Sequence, residues 1–161
     1  MSNLPHTMSN LPAIIYILAN TYNPLRVSMT YNPHAILMLD DEFDIMSIFT
    51  LALERSGFHV IGFTEPLLAL DHFQKNSYLF WLVVADIRMP LMDGYQFIRR
   101  VKEIKLHVKV FFMSAFLIDD IQFRTGLSLV KVDEYIGKPI SINQFISLVR
   151  KYFTATETSK Y

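Results

Sequence analysis

The chain has 161 residues, the usual size of one domain; 52% of them are apolar and 19% charged. Its 15 basic and 15 acidic side chains balance, which argues against a protein held to nucleic acid by net charge. There is no cysteine, which excludes disulfide frameworks, zinc clusters and thiolate catalysis. This composition fits a reducing intracellular setting, so we expect a cytoplasmic protein.

The first 33 residues differ from the rest of the chain. They contain one charged side chain, Arg26, and residues 1–5 recur almost at once as residues 8–12. Their apolar run at 13–19 is far shorter than the roughly 20 residues that span a bilayer, so we expect no membrane contact. It also lacks the basic start and cleavage site of a secretory signal.

These features divide the chain into three parts. Residues 1–33 are predicted to be a low-charge N-terminal extension, which is either disordered or an artefact of a start placed upstream of Met29. Residues 34–154 are predicted to form the folded domain, and residues 155–161 a C-terminal tail.

From residue 34 onward, short apolar runs alternate with stretches of helical periodicity. In chain order they predict strand 35–39, helix 44–56, strand 58–63, a helix starting at Pro66, strand 78–85, helix 95–106, strand 108–113, helix 117–127, strand 131–137 and helix 142–153. Strands that alternate with helices predict a doubly wound α/β fold, with a parallel sheet covered on both faces. The continuous apolar strands fit burial on both sides.

The helical periodicity also predicts which side chains face the core. In helix 44–56 the inward set is Ile45, Ile48, Phe49, Leu51, Ala52 and Leu53. In the helix starting at Pro66 it is Leu67, Leu70 and Phe73. The basic row Arg99, Arg100, Lys102 and Lys105 is predicted to be a solvated face, and Ser141 is predicted to cap the last helix.

Polar residues follow four of the five predicted strands, at the edge of the sheet where ligands bind in such folds. Asp40 and Asp41 follow the first strand, Asp86 the third, Ser114 the fourth and Lys138 the fifth. Three carboxylates at one edge repel each other and require a cation, and their hard oxygens suit Mg²⁺. A metal, a lysine and a nucleophilic carboxylate together can hold and accept a phosphoryl group.

Four segments carry a resemblance to a known family. They are Leu-Met-Leu-Asp-Asp-Glu at 37–42, Asp-Ile-Arg-Met-Pro-Leu-Met-Asp-Gly at 86–94, Ser-Ala at 114–115 and Lys-Pro at 138–139. Over about three quarters of its length the chain resembles the receiver domains of two-component response regulators of the chemotaxis type. The resemblance implies a flavodoxin-like, five-stranded parallel sheet in the order 2-1-3-4-5, with helices on both faces.

The resemblance also implies roles for the residues at the strand ends. Asp86 matches the phosphoacceptor, which takes a phosphoryl group from a phosphohistidine. Asp40 and Asp41 match the acidic pair that holds Mg²⁺ together with Asp86, with Asp41 the more direct ligand of the pair. The backbone carbonyl of Arg88 matches the remaining metal ligand.

Further matches concern the response to phosphorylation. Ser114 and Lys138 match the hydroxyl and the lysine that bind the phosphoryl group, and the bond from Lys138 to Pro139 is expected to be cis. Tyr135 matches an aromatic residue that swings inward when the hydroxyl moves. Arg88 and Phe116 occupy two positions that tune hydrolysis of the acyl phosphate.

The resemblance implies partners as well. The phosphodonor is expected to be a sensor histidine kinase or a histidine phosphotransfer protein, and the output is a changed affinity for a downstream protein. Such a domain catalyses its own phosphorylation and dephosphorylation and is not a metabolic enzyme. Because eight residues follow Phe153, we expect a stand-alone receiver with no module for direct DNA binding.

The same residues bear on three other functions. A flavodoxin-type cofactor carrier is disfavoured because Asp40, Asp41 and Glu42 would repel a phosphate in the first loop. A phosphatase with an aspartate nucleophile would normally have a second aspartate at the position of Arg88. A protein-binding module that works without phosphorylation remains the alternative.

Overall fold

A computed structural model of the protein describes residues 34–115 and 131–158, with side chains through 156. The extension predicted at 1–33, Phe116, the helix predicted at 117–127 and residues 159–161 lie outside the described residues. No helix in the described ranges is long and apolar enough to cross a membrane.

The described residues form a five-stranded parallel sheet in the order β2-β1-β3-β4-β5. The strands are β1 (Ala35–Leu39), β2 (His59–Phe63), β3 (Phe80–Asp86), β4 (Lys109–Ser114) and β5 (Glu134–Gly137). The described helices are α1 (Phe43–Arg55), α2 (Pro66–Asn76), α3 (Gly94–Ile104) and α4 (Ile142–Thr158), with a 3₁₀ turn at Ser77–Leu79. The doubly wound fold and its strand order are confirmed.

Alternate strand residues supply two separate cores, one on each face of the sheet. On one face Leu37, Val83 and Phe112 pack with Phe73 of α2 and Phe97 of α3. On the other face the neighbouring strand residues Met38, Val84 and Phe111 pack with Phe49 of α1 and Phe145 of α4. These side chains are all buried, and each contributes about 1.5–3 kcal/mol by leaving water.

Three predicted inward residues are wrong. Leu67 is 55% exposed, and on α1 Ile48 and Leu51 are about half exposed. The inward rows are instead Pro66, Ala69 and Phe73 on α2 and Met46, Phe49 and Leu53 on α1. On both helices the buried residues are three or four positions apart, which places them on one face of the helix.

Most element boundaries differ from the prediction by one or more residues, and three of the differences have a structural cause. β3 begins at Phe80 rather than at residue 78, because residues 77–79 form the 3₁₀ turn. β5 begins at Glu134 rather than 131, directly after Asp133. The last helix continues to Thr158, since no glycine or proline follows Phe153 to end it. Ser141 caps this helix as predicted, with its Oγ accepting from the amide of Gln144 at 3.3 Å.

Two lysines of the predicted solvated row are half buried, Lys102 on α3 and Lys105 directly after it. Nζ of Lys105 donates to the carbonyls of Ser77 at 3.1 Å and Phe80 at 2.7 Å, and Nζ of Lys102 donates to the carbonyl of Val108 at 2.6 Å. Burial lowers the pKa of both lysines. The two lysines therefore attach the end of α3 to the 3₁₀ turn, to the start of β3 and to the residue before β4. The prediction that they are solvated is wrong.

Candidate functional site

Asp40, Asp86 and Lys138 meet at the carboxyl edge of the sheet. Asp40 directly follows β1, Asp86 is the last residue of β3 and Lys138 directly follows β5. Because Leu39 of β1 pairs with Ala85 of β3, the two aspartates project from neighbouring positions of adjacent strands. The sheet thus gathers residues that are far apart in the chain.

Lys138 bridges the two carboxylates. Its Nζ donates to Oδ2 of Asp40 at 2.7 Å and to Oδ1 of Asp86 at 2.6 Å. Asp40 is fully buried, and the side chains of Asp86 and Lys138 are 9% and 14% exposed. One ammonium group therefore compensates two carboxylates that have little access to water.

The remaining oxygen of each aspartate accepts from a backbone amide two residues further along the chain. Oδ1 of Asp40 accepts from the amide of Glu42 at 3.0 Å, and Oδ2 of Asp86 accepts from the amide of Arg88 at 2.7 Å. Sequence reasoning missed both amides, although aspartate commonly bonds the amide two residues later and offers a local signal for such turns. The two carboxylates are thereby held in fixed orientations.

Burial and ion pairing have opposite effects on the pKa values of Asp40 and Lys138. Burial raises the pKa of Asp40, and the contact with Lys138 offsets this only in part. Burial alone would lower the pKa of Lys138, but its bonds to Asp40 and Asp86 outweigh it, so the pKa of Lys138 is raised. Lys138 is therefore positively charged at neutral pH.

Gly94 lets α3 begin directly beside Asp86. Its amide donates to the carbonyl of Ile87 at 2.9 Å, and a Cβ on Gly94 would collide with the backbone carbonyl oxygen of Asp86. Asp93 caps the helix, with its Oδ1 accepting from the amide of Gln96 at 2.8 Å. A glycine at this position is thus required by the close approach of helix and strand.

Ser114 ends β4 beside this cluster. Its side chain is buried, and its carbonyl accepts from the amide of Lys138 at 2.7 Å. The peptide bond from Lys138 to Pro139 is cis, as predicted. Lys138 is consequently tied at its backbone to β4 and at its side chain to β1 and β3.

Of the other predicted site residues, Asp41, Arg88 and Tyr135 fall within the described ranges. Asp41 is exposed and makes no hydrogen bond or ion pair within the described residues, and the side chain of Arg88 is exposed. Tyr135 on β5 is half buried with its ring 5.8 Å from that of Phe112, and burial raises the pKa of its hydroxyl to about 12. Phe116 lies outside the described residues.

The structure does not collect all three carboxylates around one point. Within residues 34–115 and 131–158, no three acidic or histidine side chains are grouped as ligands for a metal ion. Asp40 and Asp86 are joined through Lys138, while Asp41 faces solvent. The cation that compensates the two buried carboxylates here is the lysine.

Residues 36–150 match the family described as the response regulator receiver domain. The chain belongs to this family. Among curated proteins, this receiver domain is 28% identical to the response regulator receiver protein CpdR of Brucella abortus, over 74% of this chain and 97% of that protein. It is 29% identical to sporulation initiation phosphotransferase F of Bacillus subtilis, over 73% of this chain and 91% of that protein.

Other relatives are longer, and the similarity covers only part of them. The receiver domain is 30% identical to the regulatory protein VanRc of Enterococcus gallinarum but spans 48% of its length. Among solved structures, a CheY-like response regulator receiver domain protein from Methanospirillum hungatei aligns with a TM-score of 0.70 at 20% identity, over 78% of this chain and 98% of that one. This likeness concerns the fold.

Proposed function

We propose that this receiver domain accepts a phosphoryl group on Asp86 from a phosphohistidine of a sensor histidine kinase or a histidine phosphotransfer protein. The observation that carries the proposal is the bridge from Asp40 through Lys138 to Asp86. It orients the carboxylate of Asp86 beside an ammonium group at the edge of the sheet, where the carboxylate can act as a nucleophile.

In the transfer, a carboxylate oxygen of Asp86 forms a bond to phosphorus as the bond from phosphorus to the imidazole nitrogen breaks. The imidazole leaves with the electron pair of that bond and takes a proton from water. Lys138 lies 2.6 Å from Oδ1 of Asp86, so its ammonium can pair with the charge that develops on the phosphoryl oxygens. The buried hydroxyl of Ser114 supplies a further donor at the end of β4.

The donor atoms at this edge are of the kind that Mg²⁺ prefers, although the structure does not group the three carboxylates as ligands of one ion. Asp40, Asp41 and Asp86 offer carboxylates, Arg88 offers a backbone carbonyl, and all are hard donors of the kind that this ion prefers. Asp41 is exposed and uncommitted among the described residues, so it can bind without breaking an existing contact. When bound, the ion would neutralise phosphoryl oxygens during transfer.

Phosphorylation would then change what the domain binds. The acyl phosphate adds about −1.5 to −2 charges near neutral pH, which draws Ser114 and Lys138 toward the new oxygens. Tyr135 follows by turning inward, and a downstream protein reads the altered surface. Arg88 and Phe116 would set how long the phosphoryl group persists, and the cytoplasm is the proposed location.

Transfer from a histidine phosphotransfer protein that carries labelled phosphate tests the proposal. The label is expected to move to the wild-type domain and to an Asp71→Asn control, whose exposed carboxylate pairs with Lys75 on α2. Asp86→Asn should remain unlabelled. Label on Asp86→Asn would overturn the assignment, and partner binding that ignores Asp86→Asn would favour a binding module independent of phosphorylation.

A further inference from the structure

Asp133, just ahead of β5, is held by the strand beside it. Its Oδ1 accepts from Nζ of Lys109 at 2.8 Å, and its Oδ2 accepts from the amide of Val110 at 2.9 Å. Its own amide donates to the carbonyl of Val110 at 2.9 Å. The side chain of Asp133 is 10% exposed and that of Lys109 is 37% exposed, so the carboxylate is sheltered from water while the lysine is partly solvated.

Tyr152 of α4 also forms hydrogen bonds to the residues at the start of β5. Its hydroxyl lies 2.8 Å from the carbonyl oxygen of Asp133 and 2.9 Å from Oε2 of Glu134. Burial, followed by the bond to Glu134, raises the pKa of this hydroxyl to about 12, so it remains a donor at neutral pH. We call this group the β5 latch; it consists of Lys109, Asp133 and Tyr152.

The latch matters because β5 is short and lies at the edge of the sheet. It has four residues, and in the described ranges its one neighbouring strand is β4. At its start it is fixed by the latch, and just after its end by the 2.7 Å bond from the amide of Lys138 to the carbonyl of Ser114. An edge strand this short has few ladder hydrogen bonds to resist sliding or fraying.

We propose that the β5 latch is a positioning device for Lys138. By fixing the start of β5 to β4 and α4, it keeps Nζ of Lys138 between Asp40 and Asp86. Asp133 is therefore a positioning residue that acts through Lys138, although the whole length of β5 separates the two. The link to phosphorylation rests on the proposed function; the link to the placement of Lys138 does not.

The test compares Asp133→Ala and Tyr152→Phe with Asp71→Ala, which removes an exposed carboxylate elsewhere. Each is made in the wild-type and Lys138→Ala backgrounds, and phosphorylation by a small phosphodonor is timed. In the wild-type background, Asp133→Ala should slow phosphorylation roughly tenfold, since a small misplacement of a catalytic group is costly. In the Lys138→Ala background the same change should have no further effect.

Equal slowing in both backgrounds would overturn the proposal, because the latch would then act on folding rather than on Lys138. Hydrogen exchange at the amide of Lys138 gives a readout without phosphorylation, and both latch variants should accelerate it while Asp71→Ala should not. Unchanged exchange would refute the inference even if phosphorylation occurs. If Asp133→Ala does not fold, Tyr152→Phe decides, since it removes only one hydroxyl.

Discussion

The ammonium group of Lys138 donates a 2.6 Å hydrogen bond to Oδ1 of Asp86, joining residues that are 52 positions apart in the chain. The same group bonds the fully buried Asp40 at 2.7 Å. One cation therefore makes two buried carboxylates compatible with the folded state. The stability of the domain and the reactivity of Asp86 are consequently linked through one side chain.

Replacing Lys138 by alanine should lower the free energy of unfolding by about 3 kcal/mol, because breaking a buried ion pair leaves its partner charge uncompensated. Urea unfolding at neutral pH measures this. The matched control is Lys75→Ala, which removes an exposed ion pair with Asp71 and should change stability little. Equal losses for the two variants would mean that the bridge contributes no more than a surface pair.

Adding Mg²⁺ should raise the melting temperature of the wild-type domain, since a ligand that binds only the folded state stabilises it. Asp41→Asn should weaken this response at least about tenfold in metal concentration, as it removes an uncommitted carboxylate. Glu54→Gln, which removes an exposed carboxylate near the end of α1, is the control. Titration calorimetry checks the same affinities, and identical binding by Asp41→Asn would contradict the assigned ligand set.

Alanine at Gly94 should destabilise the domain by about 2–3 kcal/mol, because its Cβ would collide with the carbonyl oxygen of Asp86. It should also slow phosphorylation, since strand β3 must shift at the acceptor. Gly137→Ala is the matched control, as nothing lies within 4 Å of the added methyl group. Thermal unfolding of both variants tests this. An unchanged melting temperature for Gly94→Ala would show that β3 can shift without a cost in stability.

Acid should weaken the fold through His72. Its ring lies 5.3 Å from that of Phe63 and 5.9 Å from that of Phe80. Its Nε2 has no hydrogen-bond partner in the part of the chain that the structure describes, and burial lowers its pKa below the ordinary 6.5. The unfolded chain then binds the proton more readily than the folded one. This contribution to stability is therefore present above about pH 6.5 and is lost as pH falls through the folded-state pKa.

The measurement is the free energy of unfolding at several pH values between about 7.5 and 5. The wild-type domain should lose more stability across this range than His72→Gln, which cannot take up a proton. His107→Gln, an exposed histidine in the loop before β4, should behave like the wild type. Parallel curves for the wild type and His72→Gln would show that this ring is not the source of the acid sensitivity.

The strands were predictable because a strand buried on both faces leaves an uninterrupted apolar run. β1 was predicted with its observed bounds, so Asp40 was correctly predicted to follow its end. The start of β5 was not predicted, because Val132 places an apolar, β-branched residue two positions ahead of Glu134. The latch at Asp133, which ties that point to β4, depends on partners about 20 residues away in the chain.

The two ion-pair contacts of Lys138 also could not be predicted from the sequence. The resemblance implied that Lys138 faces the acceptor, but its bond to Asp40 joins residues 98 positions apart and depends on the strand order. Lys102 and Lys105 were predicted as solvated for a similar reason, since a lysine on a polar helix face gives no local signal that its head group will reach a loop carbonyl.

The most direct test of the central claim is intact-mass measurement after incubation with a small phosphodonor and Mg²⁺. The wild-type domain should gain the mass of one phosphoryl group, and Asp86→Asn should gain none. The absence of any gain by the folded wild type, or a gain that survives Asp86→Asn, would contradict the account of Asp86 as the phosphoacceptor.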